Sequence, residues 1–247
     1  MELADSTAII TGSTGKLGSA ITLALARKGC RCICHYNTNS KYARQLTSQI
    51  NSLGQKAFAV QADLTDPHRI ESLFDDSTPA KNANILINSA AIFLRQPVAD
   101  VQYQDTQKLI SLNLIAPILL SSRFARNVEC NFPDAEKPVA KIINLADIAA
   151  IRPWPDYPAY CSSKAGLIAA TRALAKALAP RMTVNAVAPG IVSWPENFSD
   201  QQKQRQIEMT PAGRTAAVEE ITSTVLFLLH NDYITGQVIA VDGGRAI

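Results

Sequence analysis

The sequence predicts an α/β protein, a parallel sheet covered on both faces by helices. Three observations predict it. Short apolar runs without polar alternation recur along the whole chain, which is how strands buried on both faces read. Longer segments with helical spacing stand between them, and several stop at a glycine. The 247 residues, 47% of them hydrophobic, contain no repeat, low-complexity stretch or linker, so a single large core is expected.

In chain order, Ala8-Ile9-Ile10 is the first strand, and Leu17 to Lys28 a helix ended by Gly29. Arg31 to His35 is the second strand, Lys41 to Leu53 a helix closed by Gly54, and Ala57 to Val60 the third strand. Pro67 to Asp75 is a helix, Asn84 to Ile87 the fourth strand, Asp105 to Asn127 a long helix and Val139 to Leu145 the fifth strand. Ala159 to Arg181 carries no Pro or Gly except Gly166 and Pro180 and reads as a helix. Met182 to Val187, a helix at Val218 to Leu229 and a last strand at Val238 to Val241 complete the chain. Right-handed crossovers make this a single-domain, doubly wound, Rossmann-type sheet of about seven strands with helices on both faces. Ile191 to Pro211 is polar, lacks clear periodicity and lies between a strand and a helix. It reads as a mobile lid over the site, residues 191–211.

Composition narrows the function classes. The net charge is +3 and no basic run occurs, which speaks against nucleic-acid and membrane-surface binding. No uninterrupted apolar run reaches the roughly 18 residues that span a bilayer. The start, Met-Glu-Leu-Ala-Asp, lacks a signal-peptide pattern. The five cysteines show no zinc spacing, so no metal site is expected. Cys30, Cys32 and Cys34 alternate along one strand, and small buried side chains explain them better than a thiolate cluster. A reduced, cytoplasmic setting follows.

Two stretches carry chemistry. Tyr160-Cys-Ser-Ser-Lys164 puts a phenol and an ammonium one helical turn apart. A Lys beside a phenol stabilises the phenolate and lowers the phenol pKa, giving a usable proton donor or acceptor. Thr11-Gly-Ser-Thr-Gly-Lys-Leu-Gly18 follows the first strand and opens the first helix. Gly12 and Gly18 let the backbone approach a pyrophosphate beside Lys16 and Leu17, and the helix N-terminus stabilises its charge. A carboxylate after the second strand would hold the ribose 2′-hydroxyl of NAD. Here His35-Tyr36-Asn37-Thr38-Asn39-Ser40 has none, and with Lys16 in the facing loop NADP(H) is favoured.

These features, with Asp63-Leu64, Asn88-Ser89-Ala90, Asn113, Pro189-Gly190 and Asp242-Gly-Gly244, resemble the short-chain dehydrogenase/reductase superfamily over essentially the whole chain. The resemblance implies that Asp63 and Leu64 flank the adenine and that Asn88, Ser89 and Ala90 line the cofactor, with Pro189, Gly190 and Val192 beside them. It implies that Asn113 holds a water relaying protons to Lys164, and that the assembly is a homotetramer. Four departures narrow it: Lys16 in the loop, Ala91 after Ala90, Asp147 where a catalytic Ser is usual, and Phe93. Lys16, Asp147 and Phe93 together resemble pteridine reductases and the related dihydromonapterin reductases. In that subgroup the Phe stacks the pterin against the nicotinamide, and the Asp and Tyr bond the substrate. The Lys binds the nicotinamide ribose and tunes the Tyr. By resemblance these roles fall on Phe93, Asp147, Tyr160 and Lys164. Ala91 and Thr38 depart from the Ser and Arg often seen there.

The chemistry agrees. Reducing a C=N bond needs a hydride on carbon and a proton on nitrogen; a nicotinamide supplies the first and Tyr160 the second. A pterin offers N–H donors that a carboxylate such as Asp147 accepts, and a flat ring that Phe93 can cover, with Trp194 in the lid as a further wall. The expected activity is NADPH-dependent reduction of a dihydropterin, a small-molecule substrate. Two alternatives stand: a carbonyl or 3-oxoacyl thioester reductase of the same fold, and a catalytically silent NADP-sensing regulator.

Overall fold

The structure is a computed structural model and describes residues 1–75, 78–194 and 198–247. Seven parallel strands form one sheet in the order β3-β2-β1-β4-β5-β6-β7. In chain order they are β1 (Thr7–Ile10), β2 (Arg31–Tyr36), β3 (Ala57–Gln61), β4 (Ile85–Asn88), β5 (Ala140–Leu145), β6 (Met182–Pro189) and β7 (Val238–Val241). The helices are α1 (Lys16–Arg27), α2 (Ser40–Ser52), α3 (Pro67–Ser72), α4 (Tyr103–Ile110), α5 (Ala116–Asn131), α6 (Pro158–Leu178), α7 (Asp200–Glu208) and α8 (Val218–His230).

Strand pattern explains the sheet. Every residue of β1, β4, β5 and β6 is buried, so these strands have no solvent face and no alternation. Successive side chains point to opposite faces. Ile10, Leu25, Ile50 and Leu228 therefore share one core with α1, α2 and α8. Ile9, Ile33, Leu86, Phe124 and Val184 share the other with α3, α5 and α6. Each such fully buried aliphatic side chain contributes about 1.5–3 kcal/mol. β3 is an edge strand, and Phe58 on it is exposed.

Two segments differ from expectation. The long helix is not uniform: α4 and α5 are joined by a wide π turn at Ser111–Ile115. Tyr103–Asn131 is long and apolar enough to cross a membrane by length and composition, yet Leu109, Leu120, Phe124 and Val128 are fully buried within the protein, as in a core helix. Secondly, the expected lid contains α7. Ser199 and Gln202 form a reciprocal capping box that starts it. No residue of α7 is buried, so no apolar stripe announced the helix. Residues 195–197 of that segment lie outside the described residues.

The order places the crossover reversal between β1 and β4. In open α/β sheets the crevice beyond the strand carboxyl ends at this point takes ligands. The ends of β1, β4, β5 and β6 meet there.

Candidate active site

The loop after β1 is held by its neighbours. Thr11 Oγ1 accepts from the N–H groups of Ser89 (2.9 Å) and Ala90 (3.0 Å) beyond β4. Gly12 has φ +62°, and a Cβ there would lie 2.8 Å from Ala90 Cα. A Cβ on Gly18 would collide with the Gly12 carbonyl. Only glycine permits both conformation and approach. α1 starts at Lys16 without a side-chain cap, leaving its first N–H groups open to an anion. Asn88 Nδ2 donates to Asn144 Oδ1 at 2.8 Å, while its own Oδ1 is buried and unpartnered within the protein. A glycine cradle, an uncapped helix start and an orphaned acceptor suit a dinucleotide bearing phosphates and an amide.

His35 sits elsewhere than expected. Its ring is buried beneath the loop, with Nδ1 accepting from Gly12 N–H (3.1 Å) and Nε2 donating to the Ala62 carbonyl (3.0 Å). Desolvation pulls its pKa down to about 4, so it is a neutral brace for the loop and does not face a ligand. Lys16 also departs from expectation. Its Nζ donates to the Val192 carbonyl at 2.9 Å, bridging the loop to the segment after β6. Leu64 is core, and Asp63 folds onto Thr65, whose N–H (2.9 Å) and hydroxyl (2.7 Å) hold its carboxyl below the usual range. Tyr36 is partly buried, and Asn37 and Thr38 are exposed beyond the end of β2.

The end of β5 and the first two turns of α6 build the reacting corner. Asp147 caps the short turn Ile148–Ala150, with Oδ1 accepting from Ala149 N–H at 2.8 Å. Its Oδ2 accepts from the Tyr160 hydroxyl at 2.7 Å. Lys164 Nζ donates to the Leu145 carbonyl at 2.7 Å and lies 5.9 Å from the Tyr160 ring centroid. Burial raises the Asp147 pKa against the pull of Ala149, Tyr160 and Lys164. Burial lowers that of Lys164 to about 8, with Asp147 opposing. The tyrosine reverses the expected direction. Burial first, then the Asp147 charge and hydrogen bond, push the phenol pKa upward. Tyr160 is therefore a neutral donor aimed at a carboxylate, suited to the acid role.

Asn113 lies in the π turn, but its amide is committed. Oδ1 accepts from Ile92 N–H (2.8 Å), and Nδ2 donates to the Ile92 carbonyl (2.9 Å) and to Ser163 Oγ (3.3 Å). The side chain fixes the segment that carries Phe93. Phe93 is half-exposed. It stacks on Tyr157 with centroids 4.8 Å apart and meets Tyr160 edge-on at 4.9 Å.

These groups line a cleft of about 880 Å³. Of the expected residues, Gly12, Lys16, Leu17, Gly18, Ser89, Phe93, Asp147, Tyr160, Lys164, Pro189, Gly190, Val192 and Trp194 border it. Asn88, Ala90 and Asn113 stand behind its wall; Tyr36, Asn37, Thr38 and Asp63 lie outside it. Sequence reasoning missed Arg152, Trp154, Tyr157, Gln206, Met209 and Arg245, which also line it. The aromatic spacing Trp154-x-x-Tyr157-x-x-Tyr160 was an available signal for two of them.

Comparison with known proteins adds to this geometry. The model of a family described as enoyl-(acyl carrier protein) reductase matches residues 13–246. The chain is 31% identical over 254 residues to 3beta-hydroxysteroid dehydrogenase 1 of Eggerthella lenta, covering 100% of this chain and 95% of that protein. It is 30% identical over 245 residues to the 3-oxoacyl-[acyl-carrier-protein] reductase of Synechocystis sp., covering 97% and 96%. Among solved structures, FolM alternative dihydrofolate reductase 1 from Brucella canis, complexed with NADP, superposes with a TM-score of 0.88 at 30% identity, covering 99% and 95%.

Proposed function

The chain belongs to the short-chain dehydrogenase/reductase superfamily and is an NAD(P)-dependent reductase; on that premise we propose that it uses NADPH to reduce a dihydropterin to a tetrahydropterin. The observation that carries this is the 2.7 Å hydrogen bond from Tyr160 to Asp147, where a Ser is usual. A Ser hydroxyl serves a carbonyl oxygen, which only accepts. A buried carboxylate serves a substrate with N–H donors. The structural similarity to a dihydrofolate reductase complexed with NADP supports the same reading.

Bound NADPH supplies the hydride for the C=N carbon. Tyr160 turns its hydroxyl from Asp147 to the ring nitrogen and gives up its proton. Lys164, buried against the Leu145 carbonyl, stabilises the phenolate that remains. Asp147 accepts from the pterin amino and ring N–H groups and holds the ring in register. Phe93 offers one face, and Asn113 keeps it there through Ile92. Trp194 forms a further wall of the cleft. The absence of a carboxylate in His35 to Ser40 favours NADPH over NADH. A homotetramer in a cytoplasmic setting completes the reading, with the exposed Ile115 and Ile118 facing a partner copy.

One observation favours a second reading: the similarity to a 3-oxoacyl-[acyl-carrier-protein] reductase. A single assay separates the two. NADPH oxidation is followed with dihydrobiopterin, dihydromonapterin and an acetoacetyl thioester in parallel, and repeated with NADH. Turnover of a dihydropterin with NADPH preferred is the expected result. Turnover of the thioester alone supports the second reading, and no turnover with any of them points to a silent NADP-sensing protein.

A further inference from the structure

The turn capped by Asp147 carries a second functional group at its other end. Arg152 N–H donates to the Ile148 carbonyl at 2.8 Å, closing the turn, and Arg152 borders the cleft. There Arg152 Nη1 donates to the Arg245 carbonyl at 3.1 Å. Arg245 is 8% exposed, and its guanidinium donates to neutral acceptors: the Gln206 carbonyl (2.7 Å), Thr210 Oγ1 (3.1 Å) and Gln206 Oε1. Two guanidinium groups thus line one cleft, and among the described residues no carboxylate lies within ion-pair distance of either. Two acids of this region, Asp156 in the cleft lining and Asp242, whose charge acts on Arg245, are committed. Asp156 pairs with Arg95 at 2.6 Å, and Asp242 accepts from the N–H groups of Gly244 (3.0 Å) and Ala246 (2.7 Å). Arg245 is locked as scaffold, while Arg152 is exposed with nitrogens to spare.

An unpaired cation in a concave wall concentrates anions, and a guanidinium fork matches a carboxylate or phosphate. We propose that Arg152 is the docking group for an anionic tail on the substrate, so that the preferred substrate carries a carboxylate or phosphate on the side chain remote from its reacting ring. This rests on the pterin reading for the identity of the ring and is independent of it for the tail.

The test compares dihydrobiopterin, with a neutral tail, with dihydrofolate, which ends in two carboxylates, and dihydroneopterin phosphate. kcat/KM is measured for the parent, Arg152→Gln and Arg152→Lys. The anionic-to-neutral ratio should fall about tenfold or more in Arg152→Gln, the scale of one charge-assisted contact, with the change in KM and most of it restored by Lys. Loss confined to one anionic substrate identifies the anion. An unchanged ratio overturns the proposal. A second arm needs no turnover: p-aminobenzoylglutamate, which has the carboxylates but no pterin, is titrated against the NADPH complex by tryptophan fluorescence. Weaker binding to Arg152→Gln supports the proposal even if no pterin is reduced, which would sink the pterin reading alone. Equal binding to both proteins, or none to the parent, overturns the docking role.

Discussion

Replacing Asp147 by Asn keeps the side-chain shape and reverses its polarity at one atom. Oδ1 can still accept from Ala149 N–H, now at 2.8 Å. The other position becomes an NH2 group facing the Tyr160 hydroxyl, which donates to it across 2.7 Å in the parent. Both groups then present hydrogens, and the phenol must turn away or accept. A hydrogen bond to a charged group contributes about 1.5–3 kcal/mol, and tenfold in rate is about 1.4 kcal/mol, so kcat/KM on a dihydropterin should fall roughly ten- to 150-fold. The phenol gives a second readout. Asp147 follows burial among the causes that raise the Tyr160 pKa, so the variant should ionise its tyrosine at lower pH by ultraviolet titration. Stopped-flow NADPH oxidation and that titration together decide the matter. A variant with the parental rate, or with a tyrosine titrating at or above the parental pH, refutes the donor–carboxylate arrangement as the working state.

Three further outcomes are expected. Tyr160→Phe should lower kcat by about 10²–10⁴-fold, the usual contribution of a positioned acid, while fluorescence titration shows NADPH affinity near that of the parent. Lys164 is cationic below about 8 in the folded protein and 10.5 unfolded, so kcat should decline as pH rises through about 8. Between those values the unfolded chain holds the extra proton, so this residue raises stability with pH, and thermal melts should show that the loss of rate is not unfolding. His35 has the same sign in acid: its pKa drops from 6.5 to about 4 on folding, so stability falls as pH drops through that window, and His35→Gln should flatten that limb in melts. A limb unchanged by the substitution would show that other groups set it.

What the sequence makes legible follows from how local each signal is. The strands and most helices are readable because buried strands show apolar runs and Gly29 and Gly54 close their helices at positive φ. Tyr160, Lys164 and Asp147 are readable because one helix and one strand end carry them. α7 is not, since none of its residues is buried and nothing marks it but a cap. The inward turn of His35 depends on where the Ala62 carbonyl falls after folding. The contact between Arg152 and Arg245 joins positions 93 residues apart, and no spacing rule reaches that far. The direction of the Tyr160 pKa depends on burial and on the Asp147 charge and hydrogen bond, which act only once the corner is assembled.

The wide turn at Ser111–Ile115 has a consequence for the chain's tolerance of insertions and deletions. A π turn holds one residue more than the regular helical repeat. Removing any one residue from it would restore an unbroken helix of ordinary pitch, at little local cost. Because the wide turn absorbs its extra residue, the faces of α4 and α5 would keep nearly their present relation, and only the side chains of the turn itself would change direction. Leu109 would keep its place in the core, while the amide of Asn113, carried by the turn, would no longer meet Ile92. The surplus residue thus serves the turn and not its flanks: it aims Asn113 at the segment carrying Phe93 without disturbing the faces that pack α4 and α5. A one-residue deletion there, silent in secondary-structure content by circular dichroism, should damage the cleft, whereas one at the exposed Glu136 or Lys137 should cost far less.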